Sequence, residues 1–286
     1  MDHKLLALFG LKFNPFSPEL PAEALLSSSK LENFCWRIEH AHLREGGFAL
    51  ITGDPGTGKS VALRLLADRL SRLRDVVVAS ITHPQSSLLD FYREMGEVFG
   101  VPLKANPNNR WGGFKALRQG WQAHIESTLW RPVLLIDEAQ EMSTPVLSEL
   151  RILSSTHFDS KILLSVVLAG DRRLTDRFRS DGLLPLGSRI RTRLMLDYAT
   201  PDELRGVLKH LVTSAGNASL LTPELAATLA DHAGGNYRTL TNLAGELLTV
   251  AAQRELSQLD EKLYLDVFVA PHSARASKTA AGARRS

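Results

Sequence analysis

An eight-residue glycine-rich segment, GDPGTGKS at residues 53–60, restricts the possible folds of this chain more than any other segment. Two glycines five positions apart, followed by Lys59 and Ser60, form the phosphate-binding loop pattern, which is meaningful only between a strand and a helix. Here the apolar run FALIT (48–52) precedes the loop, and leucines at helical spacing follow it over 61–73. The sequence therefore predicts a nucleotide-binding α/β domain rather than a chance glycine-rich turn.

The residue types in this loop suit a bound triphosphate. Backbone amides of such a turn form a concave anion site, and the helix that begins near Lys59 directs its positive end at the phosphates. Lys59 is predicted to contact the β- and γ-phosphates, and Ser60 to offer an oxygen to Mg²⁺. ATP and Mg²⁺ are thus the predicted cofactors. The predicted nucleotide-binding residues are Gly53, Asp54, Pro55, Gly56, Thr57, Gly58, Lys59, Ser60 and Val61.

An acidic pair follows a second apolar run. Residues 133–136 (VLLI) are predicted to form a buried strand that delivers Asp137 and Glu138 to its carboxyl end, the sheet edge where ligands bind. Asp137 is suited to hold Mg²⁺ together with Ser60, directly or through water. Glu138 is suited to accept a proton from an attacking water molecule. The pair therefore predicts hydrolysis of ATP.

The order of the predicted elements indicates the fold class. Strands alternate with helices up to residue 198, which predicts an α/β fold with a parallel sheet covered on both faces. Beyond residue 198 only helical patterns occur, and two of them begin with Thr-Pro. The predicted strands are 48–52, 75–81, 133–137, 162–170 and 193–198, and the predicted C-terminal helices are 201–214, 223–233, 237–254 and 259–268. The predicted domains are an N-terminal segment (1–45), a nucleotide-binding α/β domain (46–199), a helical lid (200–270) and a disordered basic tail (271–286).

Charge and cysteine content limit the partners. The chain carries 34 Lys and Arg against 31 Asp and Glu, but four of the bases lie in the tail, so that residues up to Pro271 have a net charge of −1. A uniformly basic nucleic-acid-binding surface is not indicated, although the tail could either contact DNA or remain solvated. The single cysteine, Cys35, is predicted to be buried, and it excludes an internal disulfide. No apolar run reaches the roughly 18 residues of a membrane span, so a soluble, cytoplasmic protein is expected.

These motifs resemble those of the AAA+ ATPases over residues 45–270, through GDPGTGKS, LLIDEAQ and the helical second unit. The opening segments Phe9-Gly-Leu11 and Asn14-Pro-Phe16 are similar to those of the ExeA-type subgroup. The resemblance implies a P-loop three-layer α/β/α sheet of strand order 5-1-4-3-2 with a helical lid, in a homo-oligomer. The opening segments would pack near the adenine or, alternatively, form a hydrophobic strap over the core.

The resemblance also implies roles for residues outside the two motifs. Asp171 follows the strand after the Asp-Glu strand, where the family places a polar sensor, usually Asn, Thr or Gln. A carboxylate there would repel the γ-phosphate unless another group offsets it, and a simple helix cap is the alternative. Arg238 in Gly234-Gly-Asn-Tyr-Arg resembles the family's second sensor, an arginine that contacts the γ-phosphate of its own subunit. The alternative is a surface arginine at a helix start.

Three arginines before the last strand are candidates for the arginine that this family extends into the neighbouring subunit's nucleotide. Arg189 is favoured over Arg191, and Arg193 is the third candidate. The planar guanidinium suits the charge that spreads over phosphate in the transition state. A solvated sheet edge is the alternative, because these residues alternate along an extended chain.

Two biological roles are compatible with this resemblance. The first is an oligomeric, DNA-associated switch that helps a transposase, with double-stranded DNA and the transposase as partners and no membrane contact. The second is an ExeA-like secretion-assembly or protein-remodelling ATPase without nucleic acid. Secretion members of the subgroup continue into a transmembrane segment and a peptidoglycan-binding domain that this sequence does not contain, which favours the first role. A nucleotide-binding scaffold with negligible turnover is a third possibility.

Overall fold

A computed structural model describes residues 2–81, 84–100, 110–128, 130–156 and 161–269. The predicted basic tail at 271–286 lies outside the described residues. The chain divides into two compact units, an α/β unit (Leu25–Tyr198) and a helical unit (Met1–Ala24 with Ala199–Ser286). None of the described helices is both long enough and apolar enough to cross a membrane.

The α/β unit is built on a five-stranded parallel sheet. Its strands are β1 Gly47–Gly53, β2 Val76–Ile81, β3 Arg131–Ile136, β6 Ser165–Gly170 and β7 Ile190–Leu196. The two-residue strands β4 Ser155–Thr156 and β5 Lys161–Ile162 form a separate antiparallel pair. The order across the five-stranded sheet is β2-β3-β6-β1-β7. When its five strands are numbered 1 to 5 along the chain and read from the β7 edge, this is the expected order 5-1-4-3-2, so the prediction of the fold is confirmed.

Helices make up most of the remaining described chain. One π-helical turn, Ile38–His42, joins the second α-helix to the third, and another, Leu265–Val269, follows the last α-helix. Two 3-10 turns lie at Ala22–Ala24 and Ala139–Glu141. The α-helices are α1 Asp2–Phe9, α2 Ser29–Arg37, α3 Leu43–Glu45, α4 Lys59–Ser71, α5 Leu88–Phe99, α6 Arg110–Thr128, α7 Thr144–Leu153, α8 Arg172–Arg177, α9 Leu184–Gly187, α10 Pro201–Ser214, α11 Pro223–Ala233, α12 Tyr237–Gln253 and α13 Glu261–Tyr264.

Both faces of the sheet are buried, as expected for parallel strands. On β1, Phe48 and Leu50 pack into one cluster with residues of α5, α6 and α7, while Ala49 and Ile51 pack into a second cluster with α2 and α4. Every residue of β6 is buried, because this strand lies at the centre of the sheet with helices on both sides. The carboxyl ends of β1, β3 and β6 therefore meet at one edge, where the two predicted motifs lie.

The helical unit has its own core, which includes part of the N-terminal segment. Phe9, Leu11 and Phe16 are buried against the residues of α10, α11 and α12. The sequence predicts one segment over residues 1–45, whereas the structure divides it at Ala24, because the residues before this point pack with the helices and Leu31 and Phe34 pack with the sheet. The opening segment thus packs as a strap over the helical core, and it begins with α1, which the sequence analysis did not predict.

Local capping sets the helix starts of this unit. The Thr200 side chain accepts from the amide of Glu203, whose side chain accepts in return from the amide of Thr200, which is the predicted capping box. Thr222 caps α11 in the same way through the amide of Leu225. The predicted helices 201–214 and 223–233 consequently have the bounds that the structure shows for α10 and α11.

Candidate functional site

The phosphate-binding loop joins β1 to α4 at the carboxyl edge of the sheet. Gly58 caps α4 with a φ of 97°, in the left-handed region that favours glycine. Gly53 lies against its surroundings, since a Cβ there would come within 2.5 Å of the Thr57 hydroxyl oxygen and 2.7 Å of the Leu196 carbonyl oxygen. Glycine is therefore required at position 53 because neighbouring atoms leave no room for a Cβ, and at position 58 because of the left-handed backbone conformation.

Lys59 is folded beneath the loop. Its side chain is buried, and the ammonium nitrogen donates to the carbonyl oxygens of Gly53 at 3.0 Å and Asp54 at 3.1 Å. Neither acceptor is charged, so these bonds orient the ammonium without neutralising it. Lys59 is also the first residue of α4, whose free amides give that helix end a partial positive charge. The loop thus offers an anion one full positive charge and a set of backbone donors.

Ser60 and Asp137 meet across the sheet edge. The Ser60 hydroxyl donates to Oδ2 of Asp137 at 2.6 Å, and Oδ1 of Asp137 accepts from the Glu138 amide at 2.9 Å. A hydroxyl and a carboxylate at this separation fit Mg²⁺, which prefers oxygen ligands and commonly binds one or two protein groups together with phosphates and water. Nowhere in the described chain do three or more His, Cys, Asp or Glu side chains form a group suited to a metal ion.

Glu138 follows β3 in an unusual backbone conformation. Its φ of 50° and ψ of 39° lie in the left-handed region, which a residue with a Cβ rarely occupies. Its side chain is exposed, and one of its carboxylate oxygens, Oε2, accepts from the Gln140 side-chain amide. Backbone strain of this kind is common at active sites. The carboxylate is accessible to water and is held at one oxygen.

Gln140 is a site residue that the sequence analysis did not single out. It is buried, and its side chain reaches both Glu138 and the Asp171 amide. Its position in LLIDEAQ, two residues after Glu138, was the available signal. No periodicity identifies a side chain that turns back toward the strand end, so the sequence pattern gives Gln140 no physical distinction from its neighbours.

Asp171 has the geometry of a helix cap. Its carboxylate accepts from the backbone amide of Arg173 at 2.9 Å and from the Arg173 guanidinium, which also pairs with Glu141 at 2.9 Å. The hydrogen-bonded guanidinium lowers the pKa of the Asp171 carboxyl, and the nearby ammonium of Lys59 acts in the same direction. Arg173 is therefore the group that offsets the negative charge of a carboxylate at this position. The sensor role of Asp171 stays a prediction.

The three candidate arginines differ in their contacts within the chain. Arg189 donates to the Arg151 carbonyl at 3.1 Å, and Arg191 pairs with Glu45 at 3.0 Å. Arg193 is exposed and has no hydrogen-bond or ion-pair partner among the described residues. Along β7, exposed and buried residues alternate at the edge of the sheet, which matches the solvated-edge alternative. A role in trans for any of them stays a prediction.

Arg238 lies in the helical unit as the second residue of α12. Asn236 caps this helix by accepting from the Thr239 amide at 3.1 Å, and Gly234 ends α11 in a left-handed conformation. Arg238 itself is exposed. This is the helix-start chemistry expected from the sequence, and the sensor role of Arg238 stays a prediction.

A cavity of about 660 Å³ opens beside the loop within the α/β unit. Residues at the ends of β1 and β7 and residues of α8 line it, and Arg172 of α8 pairs there with Asp54 of the loop at 2.9 Å. Tyr198 lines the same cavity with about half of its side chain exposed. The volume lies within the range of small-molecule sites.

Comparisons with known proteins agree with this architecture. Residues 42–178 match the family described as an AAA domain. General secretion pathway protein A of Aeromonas hydrophila is 29% identical over 250 residues, which are 86% of this chain and 44% of that protein. The chain thus spans less than half the length of this relative.

Solved structures share the fold at low sequence identity. The crystal structure of Cdc6p from Pyrobaculum aerophilum superposes with a TM-score of 0.70 at 16% identity, covering 86% of this chain and 67% of that one. The ORC1 protein of Aeropyrum pernix, solved in complex with DNA, gives a TM-score of 0.65 at 18% identity, covering 88% and 67%. At these identities the likeness concerns the fold alone.

Proposed function

We propose that this chain, an AAA+ P-loop protein of the ExeA type, binds Mg-ATP at residues 53–61 and hydrolyses it to ADP and phosphate. The hydrogen bond of 2.6 Å between Ser60 and Asp137 carries this proposal, because it brings the phosphate-binding loop and the acidic pair into one site. Lys59 and the amides at the start of α4 bind and orient the phosphates.

Hydrolysis then depends on one proton transfer. Ser60 and Asp137 would hold Mg²⁺, and the bound ion would neutralise negative charge on the phosphates. Glu138 accepts a proton from a water molecule as the water oxygen attacks the γ-phosphorus and the bond to ADP breaks. The position of Glu138 supports this role, since its exposed carboxylate follows the strand that delivers Asp137.

We further propose that the protein acts as a DNA-associated oligomeric switch that assists a transposase. The charge distribution supports DNA association, since the α/β unit, residues 25–198, carries 23 Lys and Arg against 19 Asp and Glu, whereas the remaining residues have a net charge of −1. The DNA complex of the ORC1 protein shows that a protein of this fold binds DNA. In the oligomer, Arg189 or Arg191 reaches the neighbour's nucleotide, and Asp171 and Arg238 act as sensors.

The second candidate is a secretion-assembly or protein-remodelling ATPase without nucleic acid. The identity of 29% to General secretion pathway protein A, over most of this chain, favours it. Measuring ATP turnover and sedimentation with and without duplex DNA, at 50 and 200 mM salt, separates the two roles. DNA that stimulates turnover or assembly, with an effect that weakens as salt rises, supports the first role. Turnover and assembly that ignore DNA at both salt concentrations favour the second.

Two substitutions test the ATPase itself. Lys59→Ala removes the buried ammonium, and we expect ATP binding to be lost. Glu138→Gln keeps the shape of the side chain but removes the base, so we expect ATP binding to be retained while kcat falls by about 10²- to 10⁴-fold. Glu97→Gln, the same change on the exposed surface of α5, is the matched control. Undiminished turnover of Glu138→Gln would exclude Glu138 as the base.

A further inference from the structure

We propose that Gln140 is a positioning residue that holds the Glu138 carboxylate in its working orientation and fixes it to the turn between β6 and α8. This inference rests on the proposed function, in which Glu138 is the base. Periodicity and spacing assign Gln140 no task, and the proposal rests on its contacts in the structure.

Three hydrogen bonds fix Gln140. Its amide nitrogen donates to Oε2 of Glu138, and its amide oxygen accepts from the Asp171 amide at 3.2 Å. Its backbone carbonyl accepts from the Arg177 guanidinium at 2.6 Å. The residue is 7% exposed, so water does not compete freely for these groups. One glutamine thus connects the base to both ends of α8.

The orientation of the amide follows from its partners. Asp171 presents a backbone N–H, which can only donate, so the Gln140 side chain must turn its oxygen toward Asp171. Its NH₂ group must then face Glu138, whose carboxylate can accept. The backbone of Gly170 packs closely against this amide, since a Cβ at that position would come within 2.7 Å of the Gln140 amide oxygen. The amide is therefore held in one orientation by chemistry and by packing.

This arrangement fixes Oε2 of Glu138 and makes no hydrogen bond to Oε1. A glutamate side chain on the surface samples several rotamers, and only some of them present an oxygen to a water molecule beside the phosphate. The hydrogen bond from Gln140 selects among these rotamers while Oε1 remains available as the proton acceptor. Gln140 thereby acts on the reaction through Glu138 without touching the nucleotide.

The β6–α8 turn is itself connected to the phosphate-binding loop. Arg172, the first residue of α8, pairs with Asp54 at 2.9 Å. Arg173 pairs with both Asp171 and Glu141. Because the turn contacts the loop on one side and Gln140 on the other, the position of Glu138 is defined relative to the bound phosphates.

The test replaces Gln140 with methionine, which has nearly the same shape but cannot make either hydrogen bond. We expect Gln140→Met to lower kcat for ATP about 10- to 100-fold, as expected for the loss of a hydrogen bond to a charged group, with the KM and the affinity for ATP unchanged within about twofold. Gln122→Met is the matched control, since Gln122 also donates to a carboxylate, that of Glu126, but on the exposed surface of α6. It should leave kcat unchanged.

A double-mutant cycle separates positioning from structural damage. In the Glu138→Gln background, single-turnover assays should show no further loss from Gln140→Met, because a positioning residue acts only through its base. Losses that multiply, or a fall in ATP affinity equal to the fall in kcat, would overturn the proposal. If Gln140→Met does not fold, Gln140→Asn provides the same test, since its shorter side chain cannot reach both partners.

The outcomes also separate this inference from the proposed function. If Glu138→Gln retains full turnover, the proposed function fails and Gln140 loses its assigned task. If Glu138→Gln loses turnover while Gln140→Met and Gln140→Asn both keep it, the base is supported and only the role of Gln140 is refuted. An increase of kcat in Gln140→Met would show that Gln140 restrains Glu138 instead of positioning it, and it would refute the inference as well.

Discussion

Replacing Gly53 with alanine tests the close approach at the start of the phosphate-binding loop. The new Cβ would lie 2.7 Å from the Leu196 carbonyl oxygen and 3.1 Å from the Leu196 Cβ. Gly53 and Leu196 are register partners on adjacent strands, so relief of this overlap requires the ends of β1 and β7 to separate by several tenths of an ångström. The Thr57 hydroxyl, 2.5 Å from the new Cβ, would also have to rotate away from the Asp54 carbonyl.

These two changes set the expected magnitude. Overpacking at a site of this kind destabilises a protein by about 1–3 kcal/mol. The hydrogen bond lost by Thr57 adds about 1 kcal/mol. We therefore expect Gly53→Ala to lower the free energy of unfolding of the α/β unit by about 2–4 kcal/mol. ATP affinity should fall at least tenfold, because the Gly53 carbonyl is one of the two groups that orient Lys59.

Urea titration followed by tryptophan fluorescence measures this effect, since all four tryptophans of the chain lie within residues 25–198. Gly206→Ala is the matched control, because nothing lies within 4 Å of a Cβ at Gly206 in the middle of α10. The same chemical change should there stabilise the helix by about 0.5–1 kcal/mol, as monitored by circular dichroism. A Gly53→Ala protein with unchanged stability and ATP affinity would refute the packing argument.

Three further predictions concern buried and interfacial groups. Burial lowers the pKa of His42 from 6.5 to about 4, so the unfolded chain binds more protons than the folded chain between these pH values. The free energy of unfolding should therefore fall by up to about 3 kcal/mol as the pH drops from 6.5 to 4. His42→Leu should remove this part of the pH dependence in urea titrations, and an unchanged dependence would contradict the prediction. Burial raises the pKa of the Cys35 thiol to about 11, so thiol reagents at pH 8 should label Cys35 only in urea, and rapid labelling of the native protein would contradict this. Arg189→Ala should lower turnover only in the assembled oligomer, and mixing with Glu138→Gln subunits should restore it in part; if mixing fails for both Arg189→Ala and Arg191→Ala, the role in trans is rejected.

Short-range chemistry made several elements predictable. The strand–loop–helix around residues 53–60 follows from a glycine-rich loop between an apolar run and a leucine repeat. The starts of α10 and α11 follow from Thr-Pro capping, in which the partners lie three residues apart. The strand predicted over 193–198 begins three residues late, because Arg191 interrupts the apolar pattern although its side chain is exposed on β7, Ile190–Leu196.

Contacts between distant residues account for what the sequence analysis missed. Arg173 pairs with Asp171, which lies only two residues away in the sequence. Arg173 also pairs with Glu141, which follows a different strand and is distant in the sequence. Gln140 meets Asp171 only because β3 and β6 pair in parallel and end at the same edge. The division of the N-terminal segment at Ala24 likewise depends on which core each side chain enters.

By itself, the sequence determined the two motifs, the alternation of strands and helices, and the limits of α10 and α11, because these depend on spacing and capping within a few residues. Only the tertiary structure decided that Ser60 meets Asp137, that Gln140 holds Glu138, and that Arg189 and Arg191 have partners within their own chain. The physical reason is that a side-chain hydrogen bond requires its atoms to lie within about 3 Å. Strand order and register set that distance, and no local pattern encodes it.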